Sequence, residues 1–129
     1  YFDSGLIICH KTRIRANEVA DMKVIGDVEG KNIIVVDDMI DTAGTICKAA
    51  DMLIDNGAAS VRAVATHAVL SGKAYENIEK SKLTEVIFTD SIPQKQPCAK
   101  IKVLPIAPMF ADTIRNIYEH KSISDHFLM

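Results

Sequence analysis

The stretch Ile33-Ile34-Val35-Val36-Asp37-Asp38-Met39-Ile40-Asp41-Thr42-Ala43-Gly44-Thr45 decides the fold of this chain. Its apolar run, 33–36, predicts a buried parallel strand, which we expect to extend from Asn32 to Asp37. The strand ends in carboxylates and a hydroxyl-bearing turn. The next residues are apolar at helical spacing and close at Asn56-Gly57, which predicts an amphipathic helix. The unit is therefore a strand, an acidic loop and a helix.

The loop between this strand and helix has the chemistry of an anion site. Backbone N–H groups at a helix N-terminus lack intrahelical partners and lie at the positive end of the helix dipole, so residues 42–45 can cradle a phosphate. Gly44 lets the backbone approach the anion closely. Asp37 and Asp38 suit the vicinal hydroxyls of a sugar, or Mg²⁺ bound through water. The predicted ligand is a phosphorylated polyol.

Two other classes of protein place carboxylates at the end of a strand. One is a Walker B strand, and the other is the phospho-acceptor site of a receiver domain. The Walker B interpretation requires a phosphate loop of the form G-x-x-x-x-G-K-[ST], and the sequence contains none.

The rest of the chain alternates between strand and helix patterns. The segment Lys11 to Lys23 is too polar for a buried strand, so we expect a mobile loop with a possible edge strand at 22–25. The other predicted strands are 6–10, 61–66, 85–89 and 101–106. A closing helix is expected from about residue 107 to His120, with a core stripe formed by Met109, Ile114, Ile117 and Tyr118.

This alternation predicts an α/β fold with a mostly parallel five-stranded sheet and helices on both faces. In such sheets ligands bind at the carboxyl ends of the strands. The loops after Val36, Thr66 and Thr89 should therefore converge at one edge.

Two further features could carry chemistry. Lys11 and Arg13 are two residues apart, so in an extended backbone they project to the same side, although most Lys/Arg pairs with this spacing belong to a solvated charged loop. His67 ends a predicted strand, where it could act as a general base, bind a metal or serve the structure.

Composition, charge and cysteine content limit the classes of protein to which this chain can belong. The 129 residues, 48% of them hydrophobic, are enough for one domain, and a net charge of -2 argues against nucleic acid as a partner.

Cys9, Cys47 and Cys98 are far apart, which predicts free thiols in a reducing cytosol. No signal peptide or apolar run of membrane-spanning length is visible, so we expect a cytoplasmic protein without a membrane partner. The chain begins at Tyr1, in agreement with a fragment.

The segment Val35 to Thr45 resembles the ribose-5-phosphate loop of the phosphoribosyltransferase-like fold (type I). Its form, Asp-Asp-Met-Ile-Asp-Thr-Ala-Gly-Thr, is similar to that of the ribose-phosphate pyrophosphokinases. The likeness runs through nearly the whole chain. The other segments that carry it are Cys9-His10-Lys11-Thr12-Arg13, Val24-Ile25-Gly26-Asp27-Val28, Ala65 to Gly72, Thr89-Asp90-Ser91-Ile92-Pro93 and Ser122-Ile123-Ser124.

The resemblance implies a role for each part of the candidate site. Lys11 and Arg13 match the family's catalytic Lys-x-Arg pair, whose charges would stabilise a diphosphoryl group in transfer. Asp37 and Asp38 would bind the ribose hydroxyls. The residues that would hold the 5-phosphate are Asp41, Thr42, Ala43, Gly44 and Thr45. The residues that would belong to regulatory phosphate or nucleotide contacts are Ser71, Ser122, Ser124 and Phe127.

The resemblance also implies an activity. Enzymes of this family use Mg²⁺ to transfer the diphosphoryl group of ATP to the C1 hydroxyl of ribose 5-phosphate, a step in nucleotide biosynthesis. Residues 1–129 would form the C-terminal domain, inactive alone. The N-terminal half would supply the adenine site and the metal ligands, and the full-length enzyme would form a homo-oligomer, a hexamer built from dimers. Two alternatives are a phosphoribosyltransferase and a non-catalytic regulatory homologue.

Overall fold

The structure, a computed structural model, describes residues 5, 8–15 and 18–124 of the chain, with only the backbone given for 8–15 and 18–23. Nine elements follow one another in this part of the chain. They are β1 (Ile8–Arg15), β2 (Glu18–Ile25), β3 (Asn32–Ile40), α1 (Gly44–Asp55), β4 (Ser60–Ala68), α2 (Ala74–Lys80), β5 (Glu85–Thr89), β6 (Ile101–Leu104) and α3 (Ala107–Tyr118).

Four of the strands form one parallel sheet in the order β3-β4-β5-β6. Ile33 pairs with Val61, and Ala63 pairs in turn with Val86. Because the spatial order follows the chain order, right-handed crossovers place α1 and α2 on the same face of the sheet. The α/β class and the mostly parallel sheet are confirmed. The carboxyl ends of all four strands lie at one edge.

The core lies between this face and the two helices. In β4, Val61, Ala63 and Ala65 are buried, while the residues between them are only partly covered. Leu53 of α1 and Ile78 of α2 are fully buried against the sheet. The alternation follows from the two-residue period of a strand, which sends successive side chains to opposite faces.

The second face of the sheet is open among the described residues. On β3, Ile34 is 52% exposed, whereas its neighbour Ile33 is 7% exposed. The helical cover that we predicted for both faces is therefore seen on one face only. The predicted core stripe of α3 was wrong. Met109, Ile114, Ile117 and Tyr118 are 51 to 85% exposed, and no residue of that helix is buried.

The first part of the chain differs most from the sequence-based prediction. The segment expected to be a mobile loop is instead an antiparallel hairpin in which Ile8 pairs with Ile25 and Lys11 with Met22. The described part of the expected first strand, from Ile8, therefore belongs to this hairpin, and the parallel sheet contains four strands among the residues that the structure describes. The polar composition was misleading, since a two-stranded hairpin does not need two buried faces.

The predicted end of α1 at Asn56-Gly57 is confirmed. Gly57 has φ 95°, a conformation that favours glycine, and its N–H donates to the carbonyl of Ile54 at 2.9 Å. The N–H of Ala58 donates to the carbonyl of Leu53 at 3.1 Å. These two bonds form a Schellman motif, which satisfies the last carbonyls of the helix.

Two further sequence-based expectations can be checked. Cys47 and Cys98 are free thiols, and burial raises the pKa of Cys47. No helix in the described part of the chain is long and apolar enough to span a membrane.

Candidate functional site

The candidate site lies at the carboxyl edge of the parallel sheet, where the loops after three strands meet. The loop after β4 is joined to the end of β3 by two backbone bonds. Leu70 donates to the carbonyl of Ile40, and Ser71 donates to that of Asp41, each at 3.1 Å. The loop after β5 is joined to β4 through Ser91, whose hydroxyl lies 2.9 Å from Nδ1 of His67. The predicted convergence of these loops is therefore confirmed.

Asp37 and Asp38 lie within β3, which runs three residues further than we predicted, to Ile40. Both side chains are exposed. One carboxylate oxygen of Asp37 accepts the N–H of Asp38 at 2.9 Å, and one of Asp38 accepts the N–H of Met39 at 2.7 Å. Each carboxylate therefore keeps a second oxygen that can accept a ligand hydroxyl or bind a cation.

The turn from Asp41 to Ala43 connects β3 to α1. Ala43 is the N-cap, and it adopts the left-handed conformation with φ 60° and ψ -1° while being only 4% exposed. No side chain caps the helix among the described residues, and its first turn carries no acidic residue. The helix N-terminus is therefore not neutralised by a carboxylate of its own first turn, which favours binding of an anion.

The left-handed position was not visible in the sequence. We expected Gly44 to let the backbone approach an anion closely, and the structure adds a positive φ at the preceding residue, Ala43. A side chain at position 44 would meet Thr42 Oγ1 at 3.9 Å, an ordinary contact. Alanine carries no signal for this conformation, which non-glycine residues adopt rarely.

Two side chains from the next crossover hold this turn. The Ser71 hydroxyl donates to the carboxylate of Asp41. The side-chain amide of Asn77, in α2, donates to the carbonyl of Thr42 at 2.9 Å. Sequence analysis assigned Ser71 to regulatory contacts and missed Asn77, because a partner 35 residues away leaves no local pattern.

A second hydrogen-bonded group surrounds His67 at the same edge. The hydroxyl of Thr89 donates to the carbonyl of Thr66 at 2.7 Å and lies 2.9 Å from the Ser91 hydroxyl, which in turn contacts His67. His67 is half-buried and pairs with Met39 of β3. The imidazole is thus fixed beside the strand that carries the two aspartates.

The structure shows less about the surroundings of the other predicted site residues. Lys11 and Arg13 lie in β1, where the pairing register shifts on both sides of Arg13. The hydroxyls of Ser122 and Ser124 are 2.8 Å apart, after the end of α3. Phe127 lies outside the described residues. The roles given to these five residues stay predictions.

The donor groups at this edge of the sheet indicate how a cation could bind there. No cluster of three His, Cys, Asp or Glu side chains is placed to hold a metal ion in the described part of the chain. Mg²⁺ commonly binds one or two carboxylates together with water and substrate phosphates. The free oxygens of Asp37 and Asp38 fit that mode.

The sheet, the acidic strand end and the phosphate-type turn define a phosphoribosyltransferase-like α/β domain. The chain matches the model of the phosphoribosyl synthetase-associated domain over residues 9–128, and it belongs to that family.

Named relatives agree with this family. The chain is 51% identical over 119 residues to ribose-phosphate pyrophosphokinase of Porphyromonas gingivalis, which covers 92% of this chain and 38% of that protein. It is 56% identical over 122 residues to the Helicobacter hepaticus protein of the same name, covering 95% of this chain and 40% of the relative. The chain thus spans about two fifths of the length of these relatives.

A solved structure shows the same fold. Phosphoribosylpyrophosphate synthetase from Mycobacterium smegmatis matches with a TM-score of 0.74 and 41% sequence identity. The match covers 80% of this chain and 35% of that one.

Proposed function

We propose that this chain is the C-terminal domain of a ribose-phosphate pyrophosphokinase, which converts ATP and ribose 5-phosphate to phosphoribosyl pyrophosphate and AMP. The observation that carries the proposal is the turn of residues 41–45, which begins a helix directly after the two exposed carboxylates of β3. The names of the relatives favour this activity over that of a phosphoribosyltransferase.

The acceptor sugar would bind at the carboxyl edge of the sheet. The turn, 41–45, would hold the 5-phosphate with backbone amides and hydroxyls, while Asp37 and Asp38 accept hydrogen bonds from the ribose hydroxyls. This arrangement would hold the sugar at its 5-phosphate and at its ring hydroxyls. Positioning of this kind supplies a large part of the rate of such reactions.

In the reaction, the C1 hydroxyl oxygen would form a bond to the β-phosphorus of ATP, and the bond from that phosphorus to the oxygen that bridges it to the α-phosphorus would break. AMP would leave with that oxygen, and the hydroxyl proton would pass to solvent. Lys11 and Arg13 would stabilise the charge on the diphosphoryl oxygens. Mg²⁺, held by the substrate phosphates and by metal ligands outside residues 1–129, would neutralise part of that charge.

The intact protein would then be a cytoplasmic homo-oligomer whose adenine site lies outside residues 1–129. Ser122, Ser124 and Phe127 would contribute to a regulatory phosphate site between subunits, and Ser71 would lie near regulatory nucleotide contacts. The 129-residue chain alone would bind ribose 5-phosphate weakly and form no product. Robust AMP formation by this chain would disprove that assignment.

The test is an assay of the intact protein with ATP, ribose 5-phosphate and Mg²⁺. Lys11→Ala should lower kcat about 100-fold or more, because charge stabilisation in the transition state is lost. Lys80→Ala is the control, since Lys80 is exposed and pairs only with Glu76 of its own helix among the described residues. Absence of phosphoribosyl pyrophosphate from the unmodified protein would reject the activity. An unchanged rate in Lys11→Ala would reject the catalytic pair alone.

A further inference from the structure

We infer that Asn77 is a positioning residue for the phosphate-binding turn, acting through the backbone of Thr42. This inference rests on the proposed function, since it assumes that residues 41–45 bind the 5-phosphate. Asn77 would not touch the reacting atoms. Its side-chain amide donates to the Thr42 carbonyl at 2.9 Å, from the adjacent helix α2.

The turn needs such support because of its backbone conformation. Ala43 has φ 60°, a region that costs free energy for a residue with a side chain. Thr42 precedes this N-cap, so its carbonyl lies outside the hydrogen-bond ladder of α1, whose first bond runs from the Cys47 N–H to the Ala43 carbonyl at 3.0 Å. The Asn77 amide thus fixes the peptide group that leads into the strained residue.

The position of Asn77 in α2 argues that its side chain serves the turn and not its own helix. Its backbone N–H donates to Lys73, and its carbonyl accepts from Ser81, so the main chain is already satisfied within the helix. Asparagine is a weaker helix former than leucine or alanine. Ala74, Tyr75 and Ile78 are buried and anchor the helix against the core. A rigid helix therefore presents the amide at a fixed place.

A turn that is held before the ligand arrives loses less conformational freedom on binding. The α1 amides would remain directed at the phosphate in the free protein. Loss of the Asn77 amide should weaken the binding of ribose 5-phosphate while leaving the chemical step unchanged. The expected signature is a rise in KM without a fall in kcat.

The experiment compares Asn77→Ala and Asn77→Leu in the intact protein. Leucine has a shape close to that of asparagine and favours a helix, but it has no donor. For both variants we expect the KM for ribose 5-phosphate to rise about tenfold, with kcat within about twofold of the original. Glu79→Ala is the control on the same helix, because Glu79 is exposed.

A second substitution separates positioning from general support of the fold. Ala43→Gly removes the cost of the positive φ, so the double variant with Asn77→Ala should recover part of the lost affinity. Unchanged KM values in both Asn77 variants would overturn the inference. The inference would also be overturned if KM rose together with a loss of Tm and Ala43→Gly did not reduce that rise. If the unmodified protein fails to bind ribose 5-phosphate, the proposed function itself fails.

Discussion

Ser71 and Asp41 are joined twice, because the Ser71 hydroxyl donates to the Asp41 carboxylate and its backbone N–H donates to the Asp41 carbonyl at 3.1 Å. The carbonyl of Ser71 also accepts the N–H of Ala74 at the start of α2. One serine therefore links the end of β3 to the beginning of the next helix.

Removal of this hydroxyl should affect both stability and ligand binding. We expect Ser71→Ala to lower the free energy of unfolding by about 1 kcal/mol, since a charge-assisted bond is lost at a half-buried site. Urea denaturation measures this change. Thr84→Ala is the control, because Thr84 is exposed and its side chain has no hydrogen bond in the part of the chain that the structure describes. Equal stabilities of the two variants would contradict the role given to Ser71.

Ile33 and Ile34, which are neighbours in β3, allow a matched test of which face of the sheet packs against the core. Ile33 is 7% exposed and Ile34 is 52% exposed. Ile33→Ala should cost about 2 to 4 kcal/mol of unfolding free energy, because a buried side chain is replaced by a cavity. Ile34→Ala should cost less than about 1 kcal/mol in the 129-residue chain. Similar losses would show that the second face of the sheet is also covered.

Glu85 gives a pH-dependent contribution to stability. Its carboxylate lies 2.6 Å from Lys102 Nζ and 2.9 Å from Arg62 Nε, and these hydrogen bonds hold the pKa of Glu85 below its ordinary value. A lowered pKa in the folded state adds stability above the ordinary pKa, and that stability is lost as the pH falls through the folded value.

We therefore expect Glu85→Gln to be less stable than the original chain at about pH 7, with a smaller deficit at about pH 3, because the stabilisation is lost as the pH falls through the lowered folded-state pKa. Denaturation at the two pH values measures the difference. Glu76→Gln, which removes a more exposed pair with Lys80, should show a smaller effect at neutral pH. An equal deficit of Glu85→Gln at both pH values would count against the ionic explanation.

The two aspartates of β3 should each contribute to sugar binding. Asp37→Asn and Asp38→Asn keep an oxygen that can accept the backbone N–H of the next residue, but they lose the negative charge. Each should weaken ribose 5-phosphate binding about tenfold or more, since bonds to charged groups are the stronger ones. Calorimetric titration gives the affinities. Asp55→Asn, on the exposed surface of α1, should leave them unchanged. Unaltered affinity in both variants would remove the acids from the site.

The sequence predicted the central unit well because local rules governed it. The apolar run and the acids located β3, and Asn56-Gly57 marked the helix end. The hairpin was missed since its polar residues resemble those of a loop. Helix α3 was correctly predicted to be amphipathic, but the spacing of its apolar residues does not indicate which element packs against them.

The sequence indicated the residues of the candidate site, whose roles stay predictions, but not the side chains that support its turn. The Asp41 to Thr45 turn was identified from residue types, whereas the strain at Ala43 and the bond from Asn77 depend on the fold. The bond from Asn77 is a tertiary contact between the two crossovers, which has no counterpart in the spacing of residues along the chain.

The position of the aspartates on β3 has one more consequence. This strand is at the end of the described sheet order, and its exposed residues include Ile34 and Val36. An apolar outer strand invites pairing with another chain, and charged side chains on such a strand oppose it. The charges of Asp37 and Asp38 oppose such pairing, and we expect a chain that lost both charges to be less soluble.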